Sequence, residues 1–218
     1  MGRTKLSSAR KQDFKDLYIG QIIVFYEGQT EKYYFDYFAE IVNSSSKYAD
    51  IRVEIENAQG NARTVLNHAS QYMDIARNHQ KYQNYSKYLV FDCDDPPDIQ
   101  NIILEANSSR FDFVLLVSNR VFETWLLMHF EEIDHPMGKS ELYRHLENHL
   151  HGKKYRKGQK GIIREIIQNG DIERAIKNGK VLHERYDSEG LQLSAHISKM
   201  NPYTNIYQLV EQLLIAIS

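Results

Sequence analysis

Up to about residue 130, segments with the hydrophobic spacing of a β-strand alternate with segments that have the spacing of an α-helix. Short apolar runs with the pattern of β-strands occur at about 21–26, 51–55, 88–91 and 113–117. Each run is followed by a stretch with the spacing of an amphipathic helix, at about 30–42, 62–79, 99–106 and 121–130. Strand and helix thus alternate four times, which predicts a parallel sheet with right-handed crossovers.

Two of these strands also indicate their place in the sheet. Apolar residues within 51–55 alternate with charged ones, which predicts a half-exposed strand at a sheet edge. The run at 113–117 is apolar on both faces, which is typical of a central parallel strand. It ends at Ser118 and Asn119, which we interpret as the N-cap of the following helix.

The second half of the chain has a different pattern. Beyond Pro136 we find no convincing strand, only helical spacing at about 139–150, 160–168, 171–185 and 203–216. The predicted fold class is therefore α/β, with a four-stranded parallel sheet flanked by helices and a helical C-terminal extension. The predicted boundaries are a flexible basic arm at 1–17, an α/β domain at 18–135 and a helical subdomain at 136–218, basic within 151–185.

The composition excludes several classes of protein. Cys93 is the only cysteine among 218 residues, so the chain has neither an internal disulfide framework nor a thiolate zinc site. The pair His149-x-His151 lacks the further ligands of a zinc site. The N-terminus lacks the apolar core of a signal peptide, and no apolar run approaches the length of a membrane span. We therefore expect a cytoplasmic protein that does not bind a membrane.

The distribution of charge is more informative than the net charge of −2. Basic residues clearly outnumber acidic ones between 151 and 185. Within that stretch four cations surround one aromatic ring, in the run Lys153, Lys154, Tyr155, Arg156 and Lys157. Such a run can bind a phosphodiester and stack a base, which predicts a nucleic-acid contact. The alternative is a solvated surface.

Acidic residues follow directly after two of the predicted strands. Glu27 and Glu31 come after the first strand, and Asp92 and Asp94 come after the third. Because the carboxyl ends of parallel strands meet at one edge of a sheet, we expect these carboxylates to share a pocket. A cation would relieve their mutual repulsion, and oxygen ligands of this kind suit Mg²⁺ or Mn²⁺. Asp95 is either a third ligand or a turn residue.

Structural explanations exist for the same residues. Glu31 would also interact favourably with a helix dipole, and aspartates are common in turns. Asn119 and Glu123 are spaced as one helix face at the same sheet edge, where they either join the site or cap the helix. His129 is either a general acid or base, or a buried histidine of the core.

Four blocks of the sequence resemble the RloB-like family of the Toprim superfamily. They are Glu27-Gly28-x-Thr30-Glu31-x-x-Tyr34-Phe35, Asp92-x-Asp94, Ser118-Asn119-x-x-Phe122-Glu123-x-Trp125-Leu126-Leu127-x-His129-Phe130 and Asn201-Pro202-x-Thr204-Asn205. The resemblance covers about residues 20–215 and implies a compact Toprim-like sheet. It also implies that Glu27 acts as general acid or base, and that Asp92 and Asp94 bind Mg²⁺. RloB-like genes often lie in bacterial defence or restriction loci, which implies an effector that works with an ABC-type ATPase partner.

Residues and resemblance together favour a metal-dependent nuclease of the Toprim type, an effector in a bacterial anti-phage or restriction-associated system. Asp92 and Asp94 would anchor the metal, and Glu27 would bind it or deprotonate the attacking water. Glu31 and Glu123 would complete the site. The substrate would be DNA or RNA, with tRNA among the candidates.

Two other classes of protein remain as alternatives. The first is a catalytically silent Toprim subunit that binds or regulates within an ATPase complex. The second is a receiver-like phosphoacceptor, which normally has paired acids after the first strand and a lysine after a fifth. The sequence shows Glu27-Gly28 and no fifth strand, so the first alternative is the stronger.

Overall fold

A computed structural model of the chain describes residues 20–44, 52–58, 60–94 and 98–217. The predicted arm at 1–17 and Asp95 lie outside these ranges. Within them, no helix is both long enough and apolar enough to cross a membrane.

The centre of the fold is a five-stranded sheet. Its strands are β1 (Gln21–Tyr26), β2 (Arg52–Asn57), β3 (Ser86–Asp92), β4 (Phe113–Asn119) and β5 (Tyr203–Thr204). The order across the sheet is β2-β1-β3-β4-β5, in which the first four strands are parallel and β5 is antiparallel to β4. The α/β prediction with four parallel strands is confirmed, with β2 at an edge and β4 inside.

The expectation of no strand beyond Pro136 was wrong. β5 consists of two residues, too few for a two-residue period to be recognised in a sequence. Its Thr204 lies opposite Ser118, and the two side-chain hydroxyls are 3.0 Å apart. β5 is therefore defined by its pairing with β4, and its two residues show no hydrophobic pattern that would predict a strand.

Helices cover both faces of the sheet and make up most of the C-terminal half. They are α1 (Gln29–Ser44), α2 (Ala62–Asp74), α3 (Ala76–Tyr82), α4 (Ile99–Asn107), α5 (Glu123–Met128), α6 (Lys139–His149), α7 (Lys160–Asn169), α8 (Ile172–Ser188), α9 (Leu193–His196) and α10 (Tyr207–Ile217), with a 3₁₀ turn at Ile197–Lys199. The helix predicted at 62–79 is interrupted, because Ile75 has an extended backbone with φ −66° and ψ 119° between α2 and α3.

The interpretation of Asn119 as a helix N-cap was wrong. Its side-chain Nδ2 donates to the carbonyl oxygens of Ile197 at 2.7 Å and Met200 at 2.8 Å, so it connects β4 to the C-terminal segment. Helix α5 begins four residues later, and the amide of Phe122 before it donates to Asp92 Oδ1 at 2.7 Å. The cap of α5 thus comes from a neighbouring strand.

Each face of the sheet buries its own apolar cluster. Val24 belongs to a cluster with α1, α5 and most of the C-terminal helices, whereas its neighbour Phe25 belongs to a cluster with α2 and α4. Ile163 of α7 and Leu209 of α10 are fully buried in the first cluster. The helices beyond residue 136 therefore complete the core on one face of the sheet.

Asn205 extends the hydrogen bonding along β4 past the short strand β5. Its Oδ1 accepts the amide of Val117 at 2.7 Å, and its Nδ2 donates to the carbonyl of Leu115 at 2.8 Å. The side chain is buried, so no water replaces these bonds. One amide side chain thus satisfies a donor and an acceptor of an inner strand.

We expect Asn205→Ala to lower the free energy of unfolding by about 2 to 4 kcal/mol, because a buried N–H and a buried C=O both lose their partners. Urea denaturation monitored by circular dichroism measures the change. Asn101→Ala on the exposed side of α4 is the control and should change stability by less than about 0.5 kcal/mol. Equal stabilities of Asn205→Ala and wild type would show that the bonds to β4 contribute nothing.

Candidate active site

Strands β1 and β3 are neighbours in the sheet and end at the same edge. Glu27 directly follows β1 and Asp92 is the last residue of β3. The amide of Asp92 donates to Glu27 Oε2 at 3.2 Å. The two acidic clusters of the sequence therefore do meet, as the order of parallel strands predicts.

Glu31 lies in the first turn of α1, with its side chain fully buried. Among the described residues, neither of its carboxylate oxygens has a hydrogen-bond partner. Gly28 makes room for this carboxylate, since a Cβ at position 28 would lie 2.9 Å from Glu31 Oε2. A buried carboxylate without partners is costly, which indicates that this position has a use other than stability.

Glu123 joins the cluster from the first position of α5. It is fully buried, and its Oε1 accepts the hydroxyl of Tyr155 at 2.6 Å. Its Oε2, like both carboxylate oxygens of Glu31, has no hydrogen-bond partner in the part of the chain that the structure describes. The site therefore draws carboxylates from the loop directly after β1 and from α1, β3 and α5.

Asp94 lies at the rim of this cluster. Its side chain is 44% exposed and forms an ion pair with Lys139 of α6. Because β3 ends at Asp92, strand geometry does not place the side chain of Asp94 on the same face as that of Asp92. The assignment of Asp94 as a metal ligand stays a prediction.

The cation of the cluster comes from the run that we assigned to nucleic acid. Lys157 Nζ lies 3.3 Å from Asp92 Oδ2, while its side chain remains 40% exposed. Tyr155 is buried against Glu123, so in this arrangement its ring is not open to a nucleic-acid base. No pattern in the sequence predicted either contact.

The other residues of the run face outward. Lys153 forms an ion pair with Glu165 at 2.6 Å. Lys154 and Arg156 are exposed, and no carboxylate among the described residues pairs with them. His129 lies away from the cluster, fully buried, with Nε2 3.1 Å from the Tyr34 hydroxyl. Burial lowers the pKa of His129 to about 3, so it is neutral at physiological pH.

The crowding of carboxylates changes their acidity. Burial, together with repulsion from Asp92, raises the pKa of Glu27 to about 7. Burial likewise raises the pKa of Glu31 to about 7, against the attraction of Lys157. The pKa of Asp92 also lies well above its ordinary value, through burial and then repulsion from Glu31. Glu27 and Glu31 are therefore partly protonated near neutral pH.

The residue types of the cluster fit a hard divalent cation such as Mg²⁺ or Mn²⁺. The unpartnered oxygens of Glu31 and Glu123 are available donors. Among the described residues, however, no three His, Cys, Asp or Glu side chains are arranged to hold a metal ion. The donor chemistry therefore fits, while a bound cation would require the side chains to rearrange.

The raised pKa values predict how the stability of the metal-free protein depends on pH. Between about 4.5 and about 7 the native state keeps protons that the unfolded chain has released, so stability falls as pH rises through this window. Glu31→Gln removes a charge that is unfavourable in the folded state at pH 8. It should raise the free energy of unfolding at that pH by roughly 1 to 3 kcal/mol and make stability less dependent on pH.

Urea denaturation in EDTA at several pH values tests this expectation. The control is Glu132→Gln, an exposed carboxylate outside the cluster, which should leave the pH dependence unchanged. A Glu31→Gln variant less stable than wild type at pH 8 would show that favourable interactions stabilise the charged form of Glu31.

One known protein family matches nearly the whole described chain. A family model described as RloB-like protein matches residues 22–213. No curated protein and no solved structure shows significant similarity to the chain. The matched range includes every carboxylate of the cluster together with Tyr155 and Lys157. The chain therefore belongs to the RloB-like family.

Proposed function

We propose that this protein is a metal-dependent nuclease that hydrolyses phosphodiester bonds at the carboxylate cluster. The observation that supports this most is Glu31, a fully buried carboxylate with two unpartnered oxygens beside Asp92 and Glu123. A stable fold gains nothing from such a group, whereas a site that binds a cation requires it. The side chain of Lys157 is 40% exposed and Glu27 is half-buried, so a substrate would approach the cluster at these two residues.

The roles of the residues follow from their positions. Asp92, Glu31 and Glu123 would hold the cation, which supplies Lewis acidity to a phosphoryl oxygen and to the attacking water. Glu27 is less buried, and its pKa of about 7 suits a group that accepts the proton of that water near neutral pH. Asp94 at the rim is a candidate for an additional ligand.

The substrate of the proposed reaction is a nucleic acid, DNA or RNA, with tRNA among the candidates. The exposed side chains of Lys154 and Arg156 alternate along the chain with Tyr155 and Lys157, which reach the cluster, so they would contact phosphates near the scissile bond. Tyr155 would not stack a base, because its ring is buried. We further propose a cytoplasmic anti-phage or restriction-associated role with an ABC-type ATPase partner, supported by the resemblance.

A second function has an observation in its favour. Lys157 already neutralises part of the cluster, and no three described side chains are arranged for a metal ion. A catalytically silent subunit, which binds nucleic acid or an ATPase without cleavage, would have this property. Metal-dependent cleavage by the purified chain separates the two functions.

We expect the purified protein to cleave at least one nucleic acid in Mg²⁺ or Mn²⁺ and none in EDTA. Glu27→Gln should slow single-turnover cleavage at least about a hundredfold, the lower range for loss of a general base. Supercoiled plasmid, oligonucleotides and a total tRNA pool are the substrates, and Glu132→Gln is the matched control. Absence of cleavage with all three substrates in either metal would favour the silent subunit, and an unchanged rate in Glu27→Gln would remove Glu27 from the mechanism.

The exposed cations Lys154 and Arg156 yield a separate prediction about binding. The double substitution of both residues by Ser should weaken nucleic-acid binding. It should also reduce the slope of log K against log salt by about 0.7 to 0.9 for each phosphate that the variant no longer neutralises. Fluorescence anisotropy across a salt series, in Ca²⁺ to limit cleavage, measures both quantities. An identical salt slope in wild type and variant would show that Lys154 and Arg156 belong to the solvated surface and do not contact phosphates.

A further inference from the structure

Residues 150–159 connect α6 to α7 and reach the carboxylate cluster; we call this segment the strap. Two contacts fix its backbone and its aromatic ring. The Tyr155 hydroxyl donates to Glu123 Oε1 at 2.6 Å, and the Gly158 amide donates to Thr30 Oγ1 at 3.0 Å. Lys157 lies between these two anchors.

We propose that Lys157 is a built-in substitute for the divalent cation. Its ammonium neutralises the cluster while the metal is absent, and it leaves Asp92 when the metal binds. The strap itself stays in place, and only the lysine side chain moves. This inference rests on the proposed function, because it concerns the same cation site.

The oxygens of Asp92 show why the two cations exclude each other. Oδ1 already accepts the amide of Phe122 at 2.7 Å. Oδ2 is the oxygen that Lys157 contacts, at 3.3 Å. A metal ion bound by Asp92 would therefore meet the ammonium at the same oxygen. Two positive charges so close together in a poorly solvated site repel each other strongly.

The surroundings of Lys157 match those of a bound cation. Burial alone would lower the pKa of Lys157, but the carboxylates of Asp92, Glu123 and Glu31 raise it well above its ordinary value. These are the three carboxylates that would hold the cation in the proposed function. The ammonium thus interacts with the groups that would otherwise attract a divalent ion.

The side chain of Lys157 is partly exposed, whereas the chain on both sides of it is held by contacts. The side chain is 40% exposed and its four-carbon stem is flexible. The next residue, Gly158, has φ +72°, and a Cβ at this position would lie 3.1 Å from the Cβ of Gln29. The backbone of the strap therefore packs closely against α1. The ammonium can therefore turn toward solvent, where a phosphate would bind, while the contacts of Tyr155 and Gly158 stay intact.

The first test measures Mn²⁺ binding by calorimetry with wild type and Lys157→Met, which keeps the length of the side chain and removes its charge. We expect Lys157→Met to bind Mn²⁺ at least about tenfold more tightly, the change that roughly 1.4 kcal/mol of relieved competition produces. In EDTA the same variant should melt at a lower temperature than wild type, because the cluster has lost its counter-ion. Lys160→Met is the matched control, since Lys160 is similarly exposed but pairs with Glu40.

The second test observes Lys157 directly in the wild-type protein. An amine-selective acylating reagent, with mass spectrometry of the products, gives the labelling rate of each lysine with and without Mn²⁺. We expect Mn²⁺ to increase the labelling of Lys157 severalfold and to leave Lys160 unchanged. This test requires no substitution, so it decides the question even if Lys157→Met does not fold.

The possible outcomes distinguish the inference from the function on which it rests. If neither wild type nor Lys157→Met binds Mn²⁺, both the metal site and the inference are wrong. If both bind Mn²⁺ equally well, the metal site stands and Lys157 is not its competitor. If Lys157→Met binds more tightly but Mn²⁺ leaves the labelling of Lys157 unchanged, the lysine stays beside the metal and the displacement is wrong.

Discussion

The burial of several carboxylates at one edge of the sheet is the constraint on which the rest of the site depends. Asp92, Glu31 and Glu123 are all less than a tenth exposed, and such a group would be strongly unfavourable if every member were charged and unpaired. The protein responds in two ways. It raises the pKa values of Glu27 and Glu31 to about 7, and it brings the ammonium of Lys157 to Asp92. In the proposed function a divalent cation takes over this neutralisation.

The carboxylate site uses residues from both halves of the chain. The carboxylates belong to the α/β half, whereas Tyr155 and Lys157 come from the strap in the helical half. The strap is held in position by helices α6 and α7, which bury apolar residues against the same sheet face as α1 and α5. Asn205 and the short strand β5 attach the end of the chain to β4. The helical half is thus required for the charge balance of the site as well as for the core.

Much of the fold could be predicted because hydrophobic periodicity is a local property of the sequence. The strands β1 to β4 and the long helices repeat their pattern often enough to be recognised. Features that depend on a distant partner were missed. β5 has two residues and exists through β4, and the break at Ile75 between α2 and α3 carries no glycine or proline that would mark it. Asn119 has the residue type of a helix cap, but its side-chain amide donates to backbone carbonyls 78 and 81 residues away.

The sequence by itself determined that Glu27 and Asp92 follow neighbouring parallel strands, and therefore that they meet at one edge. It also determined the family, because the motifs and the whole matched range are properties of the chain. Only the tertiary structure decided what neutralises these carboxylates. Lys157 reaches Asp92 across 65 residues, and Tyr155 reaches Glu123 across 32. No local pattern marks such contacts, since they arise when helices that are separate in sequence pack on a common core and bring a connecting segment to the sheet edge.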